Sequence, residues 1–280
     1  MMKKILITGG DGQLSKQLFL ELSNNFEVIS LSKNDLNITD KKNVKNILSI
    51  YNPEVVINSA AYTNVDGCET NSKLAYDVNA NAINNFSDFF NGLFIQISTD
   101  YVFDGENGPY NESSKTNPLG IYGKSKLQGE KIVSDNFKNH LIVRTNVLFG
   151  GKSKANFLDW VIKSLLLNKE INVVDDQYNN PVSVYDLSKI IHNLISTENR
   201  GITHVGSDTL CSRFEFANMI ANCWNLNNNY IKPISTEDLS RKIKNYSAPR
   251  PLKSGLISLN RYLPTLSLKN SLKNIKNQKN

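Results

Sequence analysis

The chain has 280 residues, 40% of them apolar, and its 32 Lys and Arg against 26 Asp and Glu give a formal net charge of +6. The basic residues are scattered and form no stripe interleaved with aromatics, which excludes a nucleic-acid surface and leaves a solvated face with some attraction for phosphorylated small molecules. No apolar run approaches the roughly 18 residues of a membrane span, and Cys68, Cys211 and Cys223 form neither a disulfide framework nor a zinc pattern, so the expectation is a soluble protein of the reducing cytoplasm.

The opening "MMKKILITGG" is basic, but its apolar run ends at Thr8-Gly9-Gly10, too soon for a signal-peptide core. Residues 3–8 read instead as a strand buried on both faces. Leu14, Leu18 and Leu22 then fall at helical spacing in 13–25, with Leu20 off the stripe. Residues 26–31 predict a second strand, and 39–51 a helix with Val44, Ile47, Leu48 and Tyr51 on one face behind a Thr39-Asp40 capping pair. A third strand (53–62), a long helix (74–90), a fourth strand (92–99), a helix (121–135) and a fifth strand (140–145) follow. Strands alternating with helices imply right-handed crossovers and a parallel, doubly wound sheet. Beyond residue 150 the rhythm loosens: 157–168, 184–197 and 212–224 predict helices, the last capped by Ser212, and the Lys- and Asn-rich tail after Leu266 predicts a frayed one. The organisation expected is α/β: a Rossmann-type domain over 1–148 and a smaller C-terminal substrate-binding lobe over 149–280, partly interleaved with the first.

"TGGDGQLSKQL" joins the first strand to its helix with Gly9, Gly10 and Gly12 in the turn. Glycine there permits a tight turn and close approach to a pyrophosphate, while the helix start offers free N–H groups, here of Gln13 and Leu14. Ser15 replaces the third glycine of the fingerprint, which predicts a slightly looser helix–sheet contact. After the second strand, Ser32 and Lys33 present a hydroxyl and an ammonium suited to a 2′-phosphate, so NADPH is expected, with NADH possible. Asp35, Leu36, Ala60, Ala61 and Tyr62 stand at carboxyl ends of strands, where such folds bind adenine and ribose.

Tyr-x-x-x-Lys occurs twice, at Tyr122/Lys126 and Tyr185/Lys189. Only the first follows a strand ending in Ser98-Thr99-Asp100, and Tyr185 reads as a core aromatic beside a surface lysine. Residues four apart share a helix face, so the Lys126 ammonium is expected near the Tyr122 phenol, lowering its pKa from the ordinary value of about 10. Ser98 or Thr99 offers a hydroxyl to a carbonyl oxygen gaining charge. Together these make a carbonyl-to-alcohol site in which a nicotinamide cofactor carries the hydride and Tyr122 the proton.

With "GGDGQL", "INSAAYTNVDGCE", "STDYVFDG", "NPLGIYGKSKLQGE", "LIVRT", "DDQYNNP" and "RPLKSGL" in place, the chain resembles the dTDP-4-dehydrorhamnose reductase family of extended short-chain dehydrogenase/reductases from the glycine turn to about residue 257. The resemblance implies catalytic Thr99, Tyr122 and Lys126, favouring Thr99 over Ser98 as the hydroxyl, and adds Asn79 to the cofactor residues. It implies substrate contacts at Ser98, Thr99, Asp100, Tyr101, Val102, Tyr122, Asn146 and Val147. Arg250 is a candidate for the nucleotide diphosphate. The related 4,6-dehydratases carry Asp-Glu after the Thr; Asp100-Tyr101 here lacks that glutamate, which favours simple reduction of a 4-keto group. Two departures fall on the sugar side: Asn146-Val147 where the family has Ser-Trp, and Asn179 and Val182 where it has Gly and Thr. Gln17 replaces a glutamate that helps bind metal between subunits in some relatives, so no metal is expected. The partner implied is a nucleotide sugar, the assembly a monomer or homodimer. Alternatives are a reductase or epimerase of another sugar nucleotide, or a non-catalytic, dinucleotide-binding regulatory subunit.

Overall fold

A computed structural model describes residues 2–151, 156–244, 246, 248–260 and 263–279. Five short apolar strands, β1 (Lys4–Thr8), β2 (Glu27–Leu31), β3 (Val55–Asn58), β4 (Leu93–Thr99) and β5 (His140–Thr145), form one parallel sheet with a sixth strand from far along the chain. Its order, with β10 (Gly201–Val205) at one edge, is β10-β5-β4-β3-β1-β2. The chain leaves β1 toward β2 and returns past it to β3, so the strand order reverses between β1 and β3. A crevice opens at that reversal, outside the carboxyl ends of the strands.

Helices cover both faces because each turns one apolar stripe inward. Leu14, Leu18 and Leu22 of α1 (Gln13–Leu22) are buried with Leu187, Ile190, Ile191 and Leu194 of α8 (Val184–Ser196), while Leu20 is 62% exposed, as its off-stripe position requires. Against the other face lie α2 (Lys41–Tyr51), whose Val44, Ile47 and Leu48 are buried, the short α5 (Asn84–Ser87), and α6 (Ile121–Asn136). Asp40 alone caps α2, accepting from the amides of Lys42 and Asn43. Two small helices, α3 (Val65–Thr70) and α4 (Ser72–Asn79), complete this layer.

The long helix expected over 74–90 is divided: α4 stops at Asn79, and α5 begins only at Asn84. The break sits where α6 packs closest. A Cβ on Gly129 would stand 2.3 Å from the Asn79 carbonyl oxygen, so the two backbones touch there and a continued helix would collide. The α3 turn had no sequence expectation; Asn64 caps it by accepting from the Gly67 amide.

Residues from the second half of the chain contribute to both the first core and a separate one. α8 packs with α1 against the first sheet, and β10, which had no sequence expectation, is that sheet's edge strand. A separate core is built from β6 (Leu148–Phe149), α7 (Phe157–Leu166), β7 (Ile171–Val174), β11 (Cys211–Ser212), α9 (Arg213–Trp224), β12 (Ile231–Ile234) and α11 (Leu268–Lys279). Of the other elements, β8 (Tyr178–Asn179) pairs with β11, β9 (Val182–Ser183) buries Val182 in the first core, and α10 (Thr236–Lys242) follows β12 on the surface. The tail helix α11 is anchored rather than frayed, with Leu268, Leu272 and Ile275 buried in the separate core. None of the described helices is long and apolar enough to cross a membrane.

Candidate active site

The glycine turn closes against β3. Gly9 has φ of +68°, a conformation side chains avoid, and a Cβ there would lie 2.9 Å from the Ala60 Cα. Gly10 donates to the Leu31 carbonyl at 2.7 Å and Gly12 to that of Gly9 at 2.9 Å, which folds the turn over the strand ends. Gly12 is the N-cap of α1 and supplies no capping side chain, so the first-turn amides, those of Gln13 and Leu14 among them, remain free for an anion. Gln13 Oε1 is buried beside them without a partner. The bare backbone cradle of N–H donors fits a dinucleotide pyrophosphate; the Gln13 oxygen, an acceptor, takes no part in that fit. Leu14 itself is 4% exposed, so only its main chain takes part. Ser15 is fully buried and donates to the Thr8 carbonyl at 3.4 Å; the helix stays against the sheet without the glycine.

At the end of β2, Ser32 is engaged with Asp35: its hydroxyl donates to Oδ2 at 2.6 Å and its amide at 3.1 Å, and these bonds hold the Asp35 carboxyl below its ordinary pKa. Lys33 is exposed. Leu36 is 2% exposed and belongs to the core, so it can line a ligand by backbone only. Ala60, Ala61 and Tyr62 are half-buried along the crevice. Asn79 spends its amide on the chain, accepting from Tyr62 N at 2.8 Å and donating to Tyr62 O at 3.2 Å and Ser125 Oγ at 3.0 Å. It holds the 60–62 segment against α6. A buried relay that the sequence did not announce, Thr8 to Asn58 (2.7 Å) to Gln96 (2.8 Å), ties β1, β3 and β4 beneath the crevice.

Thr99 ends β4 and its Oγ1 accepts from the Tyr101 amide at 3.2 Å, capping a short 3₁₀ turn. Tyr122, in the first turn of α6, has its phenol beside the Thr99 hydroxyl and meets Tyr101 edge-on, ring centres 5.5 Å apart. α6 comes this close because Gly123 sits where a Cβ would lie 2.1 Å from the Tyr101 carbonyl oxygen. Thr99, Tyr101 and Tyr122 therefore converge at the carboxyl end of β4.

Four expected substrate contacts are turned elsewhere. Ser98 is 4% exposed and donates to Glu130 Oε1 at 2.5 Å; side chains alternate along a strand, and this one faces away from Thr99. Val102 is fully buried with Phe103, Tyr110 and Leu256. Asn146 donates to Asn180 Oδ1 at 2.6 Å, although its own Oδ1 is buried and unpartnered. Arg250 donates to Asp66 Oδ2 at 2.7 Å and to the Ala248 carbonyl at 2.8 Å, and its guanidinium lies 3.6 Å from the centre of the Tyr246 ring. Its charge is already matched. Val147 remains half-exposed at the end of β5. Asp100 is 2% exposed, takes hydrogen bonds from Ser254 at 2.5 Å and Thr99 at 3.1 Å, and burial lifts its pKa to about 6. Tyr185 packs in the core and Lys189 is exposed, as read from the sequence.

The electrostatics at Lys126 correct an expectation. Its ammonium, 4% exposed, donates to the Ile97 carbonyl at 2.6 Å, and burial pushes its pKa down to about 8 despite the nearby Glu130. The Tyr122 phenol is shifted up rather than down: loss of water outweighs the Thr99 hydroxyl beside it, and Asp100 adds repulsion. A cation one helical turn away does not offset that desolvation. Tyr122 thus stays protonated at neutral pH, as a proton donor must, while Lys126 titrates nearer the working range. Below about pH 8 Lys126 is charged and above it neutral, so kcat/KM for an NADPH-dependent reduction is expected to fall as pH rises through about 8. A profile level to pH 10 would remove the ammonium from the reaction.

Residues with no sequence expectation also converge here. Glu130 anchors Ser98 and Arg144; Ser254 reaches Asp100 from the C-terminal segment. Arg213 heads α9, its charge acting on Asp100 and Tyr101. The one available sequence signal was a basic residue directly after the Ser212 cap.

Comparison with known proteins extends this geometry to the whole chain. The family model of the RmlD substrate binding domain matches residues 2–269. The spore coat polysaccharide biosynthesis protein SpsK of Bacillus subtilis is 36% identical over 265 residues, 91% of this chain and 89% of its own. A dTDP-4-dehydrorhamnose reductase of Aggregatibacter actinomycetemcomitans is 34% identical over 77% of both chains. The crystal structure of dTDP-4-dehydrorhamnose reductase from Bacillus anthracis, in complex with NADP, superposes with a TM-score of 0.93 at 35% identity, covering 99% of this chain and 100% of that one. A glycine cradle, a Thr-Tyr pair at the end of the fourth strand, a lysine one turn on, and likeness over nearly the full length agree: the chain belongs to the RmlD family of dTDP-4-dehydrorhamnose reductases.

Proposed function

We propose that this protein uses NADPH, with NADH as a weaker substitute, to reduce the 4-keto group of a nucleotide-linked 6-deoxy sugar, dTDP-4-dehydro-β-L-rhamnose to dTDP-L-rhamnose, for cell-surface polysaccharide synthesis. The observation that carries this reading is the convergence of Thr99 and Tyr122 beside the strand-end crevice, with Lys126 one helical turn further on. In this reading the six-stranded sheet holds the cofactor and the smaller core covers the sugar.

Gly9, Gly12 and the amides of Gln13 and Leu14 would hold the pyrophosphate. Exposed Lys33 would meet a 2′-phosphate, although Asp35, hydrogen-bonded to Ser32, keeps an acid near the same ribose and leaves NADH usable. The bound cofactor supplies the hydride. Thr99 would turn its single proton from Asp100 to the keto oxygen and stabilise the charge that grows there. Tyr122, kept protonated by its buried setting, gives its proton to that oxygen as it becomes a hydroxyl. Lys126, one helical turn further on, would steady the phenolate left behind. Asp100, buried and bound by Ser254 and Thr99, fixes the Thr99 hydroxyl rather than touching C5, and no glutamate follows it to serve as a dehydratase base. Val147 presents a small apolar surface to the sugar, and SpsK, a coat-polysaccharide protein, is among the similar chains.

The test is NADPH oxidation by the purified protein against a panel of 4-keto-6-deoxy sugars carried on dTDP, UDP and GDP. Turnover of the dTDP-linked 4-keto sugar, with NADPH preferred over NADH, is the expected result. Oxidation with none of the panel would refute the reading.

A further inference from the structure

We infer that Arg213 is the residue that binds the diphosphate of the nucleotide-linked substrate. The inference rests on the reductase reading above and adds the group that meets the anionic half of that substrate. Arg213 occupies the first position of α9, directly after the Ser212 cap, whose capping box with Glu215 satisfies the helix end without it. A cation there faces the positive end of the helix dipole, the wrong sign for stability. Local rules broken without local compensation mark residues kept for another reason.

The side chain is held yet unsatisfied. Its guanidinium lies 5.7 Å from the centre of the Phe157 ring, its backbone amide donates to the Gln177 carbonyl at 3.2 Å, and Nε is buried with no hydrogen-bond partner among the described residues. Three other cations near the site have partners: Arg250 has Asp66, Arg144 has Glu130, and Lys126 has the Ile97 carbonyl. Among the described residues no ion pair is made by Arg213. It also stands in the right place: its charge acts on Asp100 and Tyr101, the two residues that follow Thr99, from the smaller core's side of the crevice. A diphosphate supplies both the charge and the paired oxygens that a planar guanidinium fork accepts, which a neutral sugar hydroxyl does not. Sequence reading placed this role on Arg250, whose charge Asp66 has already taken.

Calorimetric titration of the intact protein with dTDP and, separately, with NADPH tests the assignment. Arg213→Gln is expected to weaken dTDP roughly 10- to 100-fold, as loss of a charge-assisted fork implies. NADPH affinity should stay unchanged, and Tm should hold or rise because a misplaced cation is gone. Arg213→Lys should recover part of the affinity. In turnover the loss should appear in KM for the sugar nucleotide more than in kcat. Binding of dTDP by Arg213→Gln within about twofold of wild type would overturn the inference, as would a loss shared equally by NADPH or a wild-type protein that binds no dTDP. If Arg213→Gln loses dTDP but wild type reduces no 4-keto sugar, the diphosphate site stands and the reductase reading falls.

Discussion

Replacing Tyr122 with phenylalanine is expected to lower turnover by roughly 10²–10⁴-fold, the usual contribution of a positioned general acid, while NADPH binds as before. The phenol stands beside Thr99 at the carboxyl end of β4 and is held protonated by its buried surroundings. Removing only its oxygen leaves the ring packed against Tyr101 and leaves the Gly123 contact that seats α6 untouched. Little stability should be lost, because the neighbouring Thr99 keeps its bonds to Asp100 and the Tyr101 amide. Stopped-flow mixing with NADPH separates the two effects: cofactor fluorescence should titrate with an unchanged Kd, and single-turnover reduction should slow. Turnover within a few-fold of wild type would mean that the proton comes from elsewhere, and the proposed mechanism would fail with it.

How far this site was legible in the sequence depended on what kind of information each residue carries. Tyr122 was found because its spacing to Lys126 followed a strand and a dinucleotide turn, so local pattern and context coincided. Ser98 and Thr99 were not separable from the residues alone: successive side chains on a strand point to opposite faces, and which face holds the crevice is settled by where α6 lies. Once it lies there, Ser98 meets Glu130 and Thr99 meets Tyr122. The family resemblance implied a substrate contact at Val102, yet the 3₁₀ turn after Thr99 rotates it into a small core with Phe103 and Leu256. Pairings across the chain were the least readable. Arg250 and Asp66 are 184 residues apart, and nothing local to either announces the bond. The same reason hid the sixth strand, since Gly201–Val205 is five residues with an exposed Ile202, and only the neighbouring edge of β5 gives it a place. The sign of the Tyr122 shift was misread because spacing reports a nearby cation and says nothing of the water lost on burial.

The largest effect on stability is expected from Glu130→Gln. Glu130 stands two helical turns beyond Tyr122 on α6, and its carboxylate takes Arg144 at both oxygens, Nε to Oε1 at 2.9 Å and Nη2 to Oε2 at 2.7 Å, with Ser98 on Oε1 at 2.5 Å. Both side chains are only 4% exposed. The Arg144 guanidinium also lies 5.3 Å from the centre of the Phe103 ring and 3.3 Å from His204 Nε2, and none of these neighbours carries a compensating negative charge. Taking away the carboxylate charge strands a buried cation, which typically costs about 3–5 kcal/mol and, at roughly 2–4 °C per kcal/mol for a chain somewhat smaller than this one, lowers Tm by roughly 6–20 °C. Removing both charges should cost far less: the pair Glu130→Leu with Arg144→Met leaves no orphaned ion, so most of the loss should return, and a double-mutant cycle gives the coupling. The single variant carries a second signature. Glu130 supports the charged form of Lys126 against burial, so without it the Lys126 pKa drops below about 8 and the alkaline fall in kcat/KM moves to lower pH. Thermal melts and a pH profile on the same protein read both consequences. A Tm unchanged from wild type, or a limb that stays in place, would show that the β4–α6 junction is not held by this ion pair and that Lys126 takes its charge from another source.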